Sequence, residues 1–343
     1  MRRRMRNSYT IIEMTNRETL MSKKQNNNKS NHDLRVYTDI TQLIADPDNP
    51  TPLVRVNRSN PNQEFQIFLK LESYNPFGSI KDRIAFKMLT SLEIGGKTVV
   101  EPSSGNTGIA LTCIANALGI PIEIAVPEKI PEEKKVLLKF LGANVMEADD
   151  ALCPLFPAEG ARGLVNALIH SPATKDTYVS PNQYENNLNV QTHYQTTGPE
   201  IWKQTQGKID YFFAGYGTCG TITGIGKYLK EQNPNIKIIG IEPDSMDHKL
   251  PGMKRITGLS EDLIPKILDR SVIDESVQVS DEDAYSAAIE LARKDGIPVG
   301  PTTGAILYVA QQYAKTHKGL AVVISPDDAF KYASFYKDII NTK

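Results

Sequence analysis

The sequence predicts an α/β protein of two lobes, with parallel sheets covered by helices. Three observations point there. Short β-like apolar runs alternate with amphipathic helical stretches from Asn49 onward, an order that builds parallel sheets from strand–helix units. The chain has 343 residues, enough for two hydrophobic cores. A polar stretch, Pro-Asn-Gln-Tyr-Glu-Asn-Asn at 181–187, interrupts the alternation and reads as a loop between lobes.

Taken in order, the strand candidates are Phe65–Leu71, Thr98–Val100, Pro121–Val126, Asn144–Glu147, Thr177–Val179, Asp210–Ala214, Ile236–Ile241 and Leu320–Ile324. Each is a short run rich in β-branched or aromatic residues, and several carry no polar alternation, as strands buried on both faces should. The helical stretches Glu132–Leu141 and Ala284–Lys294 are each soon followed by glycine, a residue that stops helices. The lobes are expected to comprise 74–186 (a small, mobile lobe) and 35–73 joined with 187–343 (a large one).

Composition limits the function classes. A hydrophobic content of 40% and a net charge of −1 describe an ordinary globular protein without the basic excess of a nucleic-acid binder. No apolar run approaches the roughly 18 residues that span a bilayer. Cys113, Cys153 and Cys219 have no metal-ligand spacing, which points to a reducing, cytoplasmic setting. Residues 1–34 are rich in Arg, Lys, Asn and Ser; they cannot bury a core and are expected to form a disordered extension. Met5, Met14 and Met21 are alternative starts within it.

Three segments carry chemistry. In Asn75-Pro-Phe-Gly-Ser-Ile-Lys81-Asp-Arg, one lysine follows a tight turn at the point where a strand gives way to a helix. Backbone geometry holds such a lysine in place, and a held amine can form an imine with an aldehyde cofactor; alone, the same string also describes a surface lysine at a helix start. In Glu101-Pro-Ser-Ser-Gly-Asn-Thr107-Gly, a hydroxyl-rich turn between strand and helix presents unsatisfied N–H groups that suit a carboxylate or phosphate, or serves only as an N-cap. Gly215-Tyr-Gly217-Thr218-Cys219-Gly220-Thr221 contains a literal G-x-G-x-x-G, and Glu242 about twenty residues on completes the imitation of a dinucleotide site. Thr218 and Thr221 supply extra donors, which favours a phosphate monoester. A dehydrogenase has no use for Lys81 or for the Ser103–Thr107 turn.

Together these residues resemble the fold-type-II pyridoxal-phosphate enzymes, specifically the cysteine synthase and cystathionine β-synthase family, from about Asp48 to Tyr332. The motifs occur in family order, continuing through Asn182-Gln183-Tyr184-Glu-Asn186, Gly300-Pro-Thr-Thr-Gly-Ala305 and Ser325-Pro-Asp-Asp328. The resemblance implies a tryptophan synthase β-like fold with pyridoxal 5′-phosphate in the cleft between lobes, joined to Lys81, its phosphate on Gly217, Thr218, Cys219, Gly220 and Thr221. It implies Asn106 at the ring hydroxyl oxygen and Ser103, Ser104, Gly105, Thr107 and Gln183 around the amino-acid carboxylate. The implied reaction is β-replacement on an activated serine, with Lys81 as base and then acid, passing through an α-aminoacrylate that sulfide or a thiol attacks. Relatives are homodimers, and some dock the C-terminal tail of serine acetyltransferase in the cleft.

Two positions depart from the family. Cys219 stands where glycine is usual; at a negative φ it costs little, and as a buried thiol it reads as packing. Asp328 stands where a serine is expected to face the pyridine nitrogen. A carboxylate there would favour the protonated ring, and with it a β-eliminating lyase or a racemase as the alternative activity. A shifted loop register that leaves another hydroxyl at the nitrogen is the competing reading. Acidic Glu261 and Asp262, and basic Lys254 and Arg255, are candidates for contacts with a second substrate or a phosphorylated donor; as charged loop residues they also fit plain solvated surface.

Overall fold

The computed structural model describes residues 35–340 except 129, 131 and 149–158; the expected extension 1–34 and Cys153 lie outside the described residues. Its strands are β1 (Leu53–Arg55), β2 (Phe65–Leu71), β3 (Thr98–Pro102), β4 (Ile122–Pro127), β5 (Asn144–Ala148), β6 (Tyr178–Val179), β7 (Tyr211–Gly215), β8 (Lys237–Pro243), β9 (Glu275–Val279) and β10 (Gly319–Ser325). Its α-helices are α1 (Lys81–Ser91), α2 (Asn106–Leu118), α3 (Glu132–Phe140), α4 (Gly160–His170), α5 (Leu188–Gln195), α6 (Thr197–Gln204), α7 (Gly220–Gln232), α8 (Asp281–Asp295), α9 (Pro301–Ala314) and α10 (Ala333–Ile340).

The strands form two sheets. One has six strands in the order β1-β2-β10-β7-β8-β9, the other four in the order β5-β4-β3-β6. Every pairing is parallel except β1 with β2. Alternate residues of the central strands face opposite helix layers, as the two-residue period of a strand requires. Phe213, Ile239 and Val323 pack with α8 and α9, whereas their neighbours Phe212, Ile238 and Val322 pack with α7. The smaller sheet is covered likewise, by α1 and α2 on one face and α4 on the other. Burial on both faces explains why these strands read as continuous apolar runs, each large side chain contributing about 1.5–3 kcal/mol.

The eight expected strands are all present, with ends moved by one or two residues. Two more, β1 and β9, carry no such signal. Both are sheet edges: β1 is three residues long and half-buried, and β9 buries only Val279 fully. The two expected helix stops hold, since Gly142 and Gly296 both take positive φ (90° and 71°).

A buried charge cluster ties β2, the turn after it, α1 and α6 together. Lys70 Nζ bonds Glu200 at 2.6 Å, and Arg83 Nε bonds Glu72 at 2.6 Å, with all four side chains at most 1% exposed. Arg83 lies two residues after Lys81, so this cluster fixes where α1 begins.

Candidate functional site

Chain segments leaving the carboxyl ends of parallel strands converge on one cleft of about 520 Å³, among them Gln183 and Tyr184 after β6, Met246–Lys254 after β8 and four that carry the sequence motifs. The four follow β2 (the turn to Lys81), β3 (Ser103–Thr107), β7 (Tyr216–Cys219) and β10 (Pro326 and Asp327). Open α/β sheets place ligands at this edge. The cleft brings together Lys81, Ser103, Ser104, Gly105, Asn106, Thr107, Gln183, Gly217, Thr218, Cys219 and Thr221. Gly220 and Asp328 do not line it.

Lys81 opens α1, and its position is set by the turn before it. Ser79 Oγ accepts from the Lys81 N–H at 3.2 Å, and Ile80 N–H donates to the Pro326 carbonyl at 2.9 Å. Burial pulls the Lys81 amine below its ordinary pKa, opposed by the carboxylates of Asp327 and Glu72 and by Cys219. A desolvated amine of this kind is a better nucleophile and base near neutrality than a solvated lysine.

The Ser103–Thr107 turn begins α2. Ser103 Oγ accepts from Gly108 N–H at 3.0 Å, so it does serve as a cap, while its own hydroxyl proton remains available. Thr107 Oγ1 donates to Gln183 Oε1 at 2.8 Å. That bond commits the oxygen of the Gln183 amide, a residue that lines the cleft, and leaves its nitrogen as a donor. Glu101, at the end of β3, supports the arrangement by accepting from Ser180 Oγ (2.8 Å), Asn182 N–H (3.0 Å) and Gln183 N–H (3.0 Å).

The loop from β7 to α7 is held against α5. Asn189 Nδ2 donates to Thr218 Oγ1 (3.1 Å) and to the Gln183 carbonyl (2.9 Å). Gly220 packs so closely on Asn189 that a Cβ would lie 2.0 Å from its Oδ1. Cys219 does not have the negative φ that would make it cheap: it sits at φ +69° as the residue before α7. There glycine is unstrained and any other residue costs about 1–2 kcal/mol. Its side chain is 2% exposed within the core under α7. Burial pushes its thiol up to about 12, partly offset by Lys254, so it packs and does not react. The first N–H groups of α7, with Thr218 and Thr221, make a donor-rich anion site at a 13-residue helix.

His193 on α5 completes this loop. Its Nδ1 pairs with Thr197 Oγ1 at 3.0 Å and its Nε2 with Thr221 Oγ1 at 3.2 Å. Burial, aided by Lys81 and Arg83, pushes its pKa down from 6.5 to about 3. The unfolded chain therefore takes up the proton more readily, and stability falls as pH drops from 6.5 toward 3. One linked group loses at most about 1.4 kcal/mol per pH unit. We expect urea titrations to show this slope in the wild type and a shallower one in His193→Leu; equal slopes would contradict it.

Asp328, expected at the ring nitrogen, does not line the cleft. Its carboxylate accepts from Phe330 N–H at 2.9 Å, capping the short 3₁₀ turn at 329–332. The preceding residue, Asp327, enters the cleft instead. Both residues form isolated β-bridges, to Val299 and Ser79 respectively, and the strand alternation sends their side chains to opposite sides. The hydroxyl that lines the cleft from the Gly300–Ala305 motif at the start of α9 is that of Thr302, which donates to the Pro251 carbonyl at 3.0 Å. Glu242, the acidic residue of the dinucleotide imitation, is occupied by Ile256 N–H (2.7 Å), Thr257 N–H (2.9 Å) and Gln278 (3.2 Å). It braces a loop. Glu261 pairs with Arg270 on the surface, and Lys254 lies over the Tyr184 ring at 4.6 Å inside the cleft. Sequence reasoning missed Glu101, Asn189, His193, Thr302 and Asp327; Glu101, Thr302 and Asp327 lie within motifs that had been singled out but had no role of their own, whereas Asn189 and His193 carried no signal.

The donor set fits pyridoxal phosphate: a desolvated lysine amine, a helix N-terminus with two threonine hydroxyls for a phosphate, and the amide of Asn106, all lining one cleft. The family described as pyridoxal-phosphate dependent enzyme matches residues 44–327. A cysteine synthase of Aquifex aeolicus is 43% identical over 295 residues, covering 82% of this chain and 88% of that one. Among solved structures, a hydrogen sulfide-producing enzyme of Fusobacterium nucleatum superposes with a TM-score of 0.75 at 34% identity, covering 87% of this chain and all of that one. An O-acetyl serine sulfhydrylase (isoform 3) of Entamoeba histolytica superposes with a TM-score of 0.76 at 28% identity, covering 88% and 91%.

Proposed function

Because this chain belongs to the pyridoxal-phosphate dependent enzymes, we propose that it is a cysteine synthase, replacing the β-substituent of an activated serine with sulfide or a thiol. The observation that carries the reading is the desolvated Lys81 amine in one cleft with two hydroxyl-rich helix N-termini, those of α2 and α7. Lys81 would hold the cofactor through Nζ, with its phosphate at Gly217, Thr218, Cys219, Gly220 and Thr221 and its ring beside Asn106. When bound, pyridoxal phosphate supplies an electron sink for the pair left behind by a broken Cα–H bond.

The remaining chemistry belongs to side chains. Ser103, Ser104, Gly105, Thr107 and the Gln183 amide nitrogen bind the substrate carboxylate, which aims the α-proton at Lys81. The Lys81 amine takes that proton from Cα and, after the β-substituent has left and the nucleophile has added, returns a proton to the same carbon. In this reading the hydroxyl of Thr302, which lines the cleft, takes the place of Asp328. A neutral hydroxyl does not favour a protonated ring, which removes the ground for preferring a racemase or lyase. In this reading 74–186 is a small lobe that closes over the substrate and excludes water, against a large lobe of 35–73 and 187–343.

The protein is further proposed to be a homodimer in the cytoplasm, with the C-terminal tail of serine acetyltransferase as an occupant of the cleft. The free thiols of Cys113 and Cys219 suit a reducing compartment. The test is a substrate screen: purified protein with pyridoxal phosphate, offered O-acetylserine, O-phosphoserine or serine together with sulfide. Cysteine formation supports the reading. Pyruvate without cysteine would replace it with a lyase.

A further inference from the structure

The segment after β10 grips the turn before Lys81 and the start of α2 at the same time. Lys331 Nζ donates to the carbonyls of Phe77 and Gly78, both at 2.9 Å, and to Asn106 Oδ1 at 3.0 Å. Asp327 Oδ2 accepts from Asn106 Nδ2 at 2.6 Å and from the Tyr332 hydroxyl. Asp327 is 3% exposed, and its other oxygen, Oδ1, is buried with no hydrogen-bond partner among the described residues.

The consequence falls on Asn106. A side-chain amide has a donor end and an acceptor end of nearly equal shape, and a site that uses one must forbid the flip. Here the acceptor end faces an ammonium and the donor end a carboxylate. Flipping the amide would set Oδ1 against Asp327 and Nδ2 against Lys331, two like-signed contacts in a desolvated place. The orientation is therefore fixed by charges contributed from the far end of the chain, about 220 residues later.

We propose that Asp327, with Lys331, is a positioning residue that orients the Asn106 amide for the cofactor. The inference rests on the cofactor reading above and adds two residues to it. Asp327 does no chemistry on the substrate; it acts through Asn106. A carboxylate is used because Asn106 and Tyr332 both need an acceptor at one point, and a hydroxyl would offer its own proton to one of them.

Binding of pyridoxal phosphate to full-length protein, followed by equilibrium dialysis and by the position of the visible absorbance band, tests this. Asp327→Ala and Asn106→Ala should each weaken binding roughly tenfold, as loss of one well-placed hydrogen bond does, and shift the band in the same direction. The double variant should be no worse than either single one, because residues acting as a unit are not additive. Asp327→Asn, which keeps an acceptor for Asn106 but loses the charge, should fall between wild type and Asp327→Ala. An unshifted band in Asp327→Ala, additive losses in the double variant, or damage in Asp327→Asn equal to that in Asp327→Ala would each overturn the proposal. Should Asp327→Ala not fold, Lys331→Met probes the same amide from its other end: non-additivity with Asn106→Ala supports the proposal, and wild-type binding overturns it. Wild-type protein that takes up no pyridoxal phosphate, and no borohydride-fixed adduct at Lys81, would defeat the cofactor reading itself, a result distinct from those above.

Discussion

In Lys81→Ala, incubation with pyridoxal phosphate produces no borohydride-fixed adduct at position 81, and cysteine formation falls by at least about 10³-fold. The size follows from two losses in one residue. The positioned amine that anchors the cofactor is gone, and so is the group that moves the α-proton, which by itself accounts for about 10²–10⁴-fold. No neighbouring amine replaces it easily. Lys331 is committed to three oxygens, at Phe77, Gly78 and Asn106, and Lys254 lies against the Tyr184 ring. The fold should be indifferent, because the Lys81 ammonium makes no ion pair among the described residues, so thermal melting of the variant without cofactor stays close to that of the wild type. An adduct that persists in Lys81→Ala, or turnover within tenfold of wild type, would refute the assignment.

Arg83→Met should be the most destabilising single change, at about 3–5 kcal/mol in urea denaturation. The guanidinium spans two carboxylates, bonding Glu72 through Nε (2.6 Å) and Nη2 (2.9 Å) and Glu200 through Nη1 and Nη2 (2.8 Å). Its removal leaves two carboxylates and only Lys70 in a place where none of them is solvated. Breaking a buried pair in this way costs far more than the pair itself contributes, because the abandoned charge cannot reach water. The loss is a large share of a total stability of about 5–15 kcal/mol. Arg83→Met combined with Glu72→Gln should recover part of it. Burial by itself would raise the Glu72 carboxyl, but Arg83, aided by Lys70 and Thr51, holds it down to about 2. Stability from this group is therefore complete above its ordinary value of 4.5 and is lost as pH falls from there toward 2. That acid sensitivity should be smaller in the variant; an unchanged pH profile would show that Arg83 is not what holds Glu72 ionised. Because Arg83 sets the start of α1, turnover should fall too, although Arg83 does not line the cleft.

Strands buried on both faces, such as β7 and β10, announce themselves by unbroken apolar runs, whereas β1 and β9 are edges with little burial and so with little pattern. The turn at Ser103–Thr107 was legible as a strand-to-helix turn, yet which hydroxyl would cap α2 was not. Asp328 was placed at the cleft one residue out of register. Adjacent residues on an extended segment point to opposite sides, so an error of one position exchanges a cleft carboxylate for a capping one. Cys219 met the reverse problem: its identity was plain, while the positive φ that makes it strained depends on how the loop turns into α7.

The order of chemical motifs along this chain, from Lys81 through the two glycine- and hydroxyl-rich turns, was enough by itself to name the cofactor class and the fold, because each motif is a local backbone device with its own strand and helix. Tertiary structure decided the rest. Asn106 meets Asp327, Thr221 meets His193, and Arg83 meets Glu200 across separations of 221, 28 and 117 residues. Such contacts leave no periodicity or spacing in the sequence, since they arise only when independent strands deliver their carboxyl ends to one cleft.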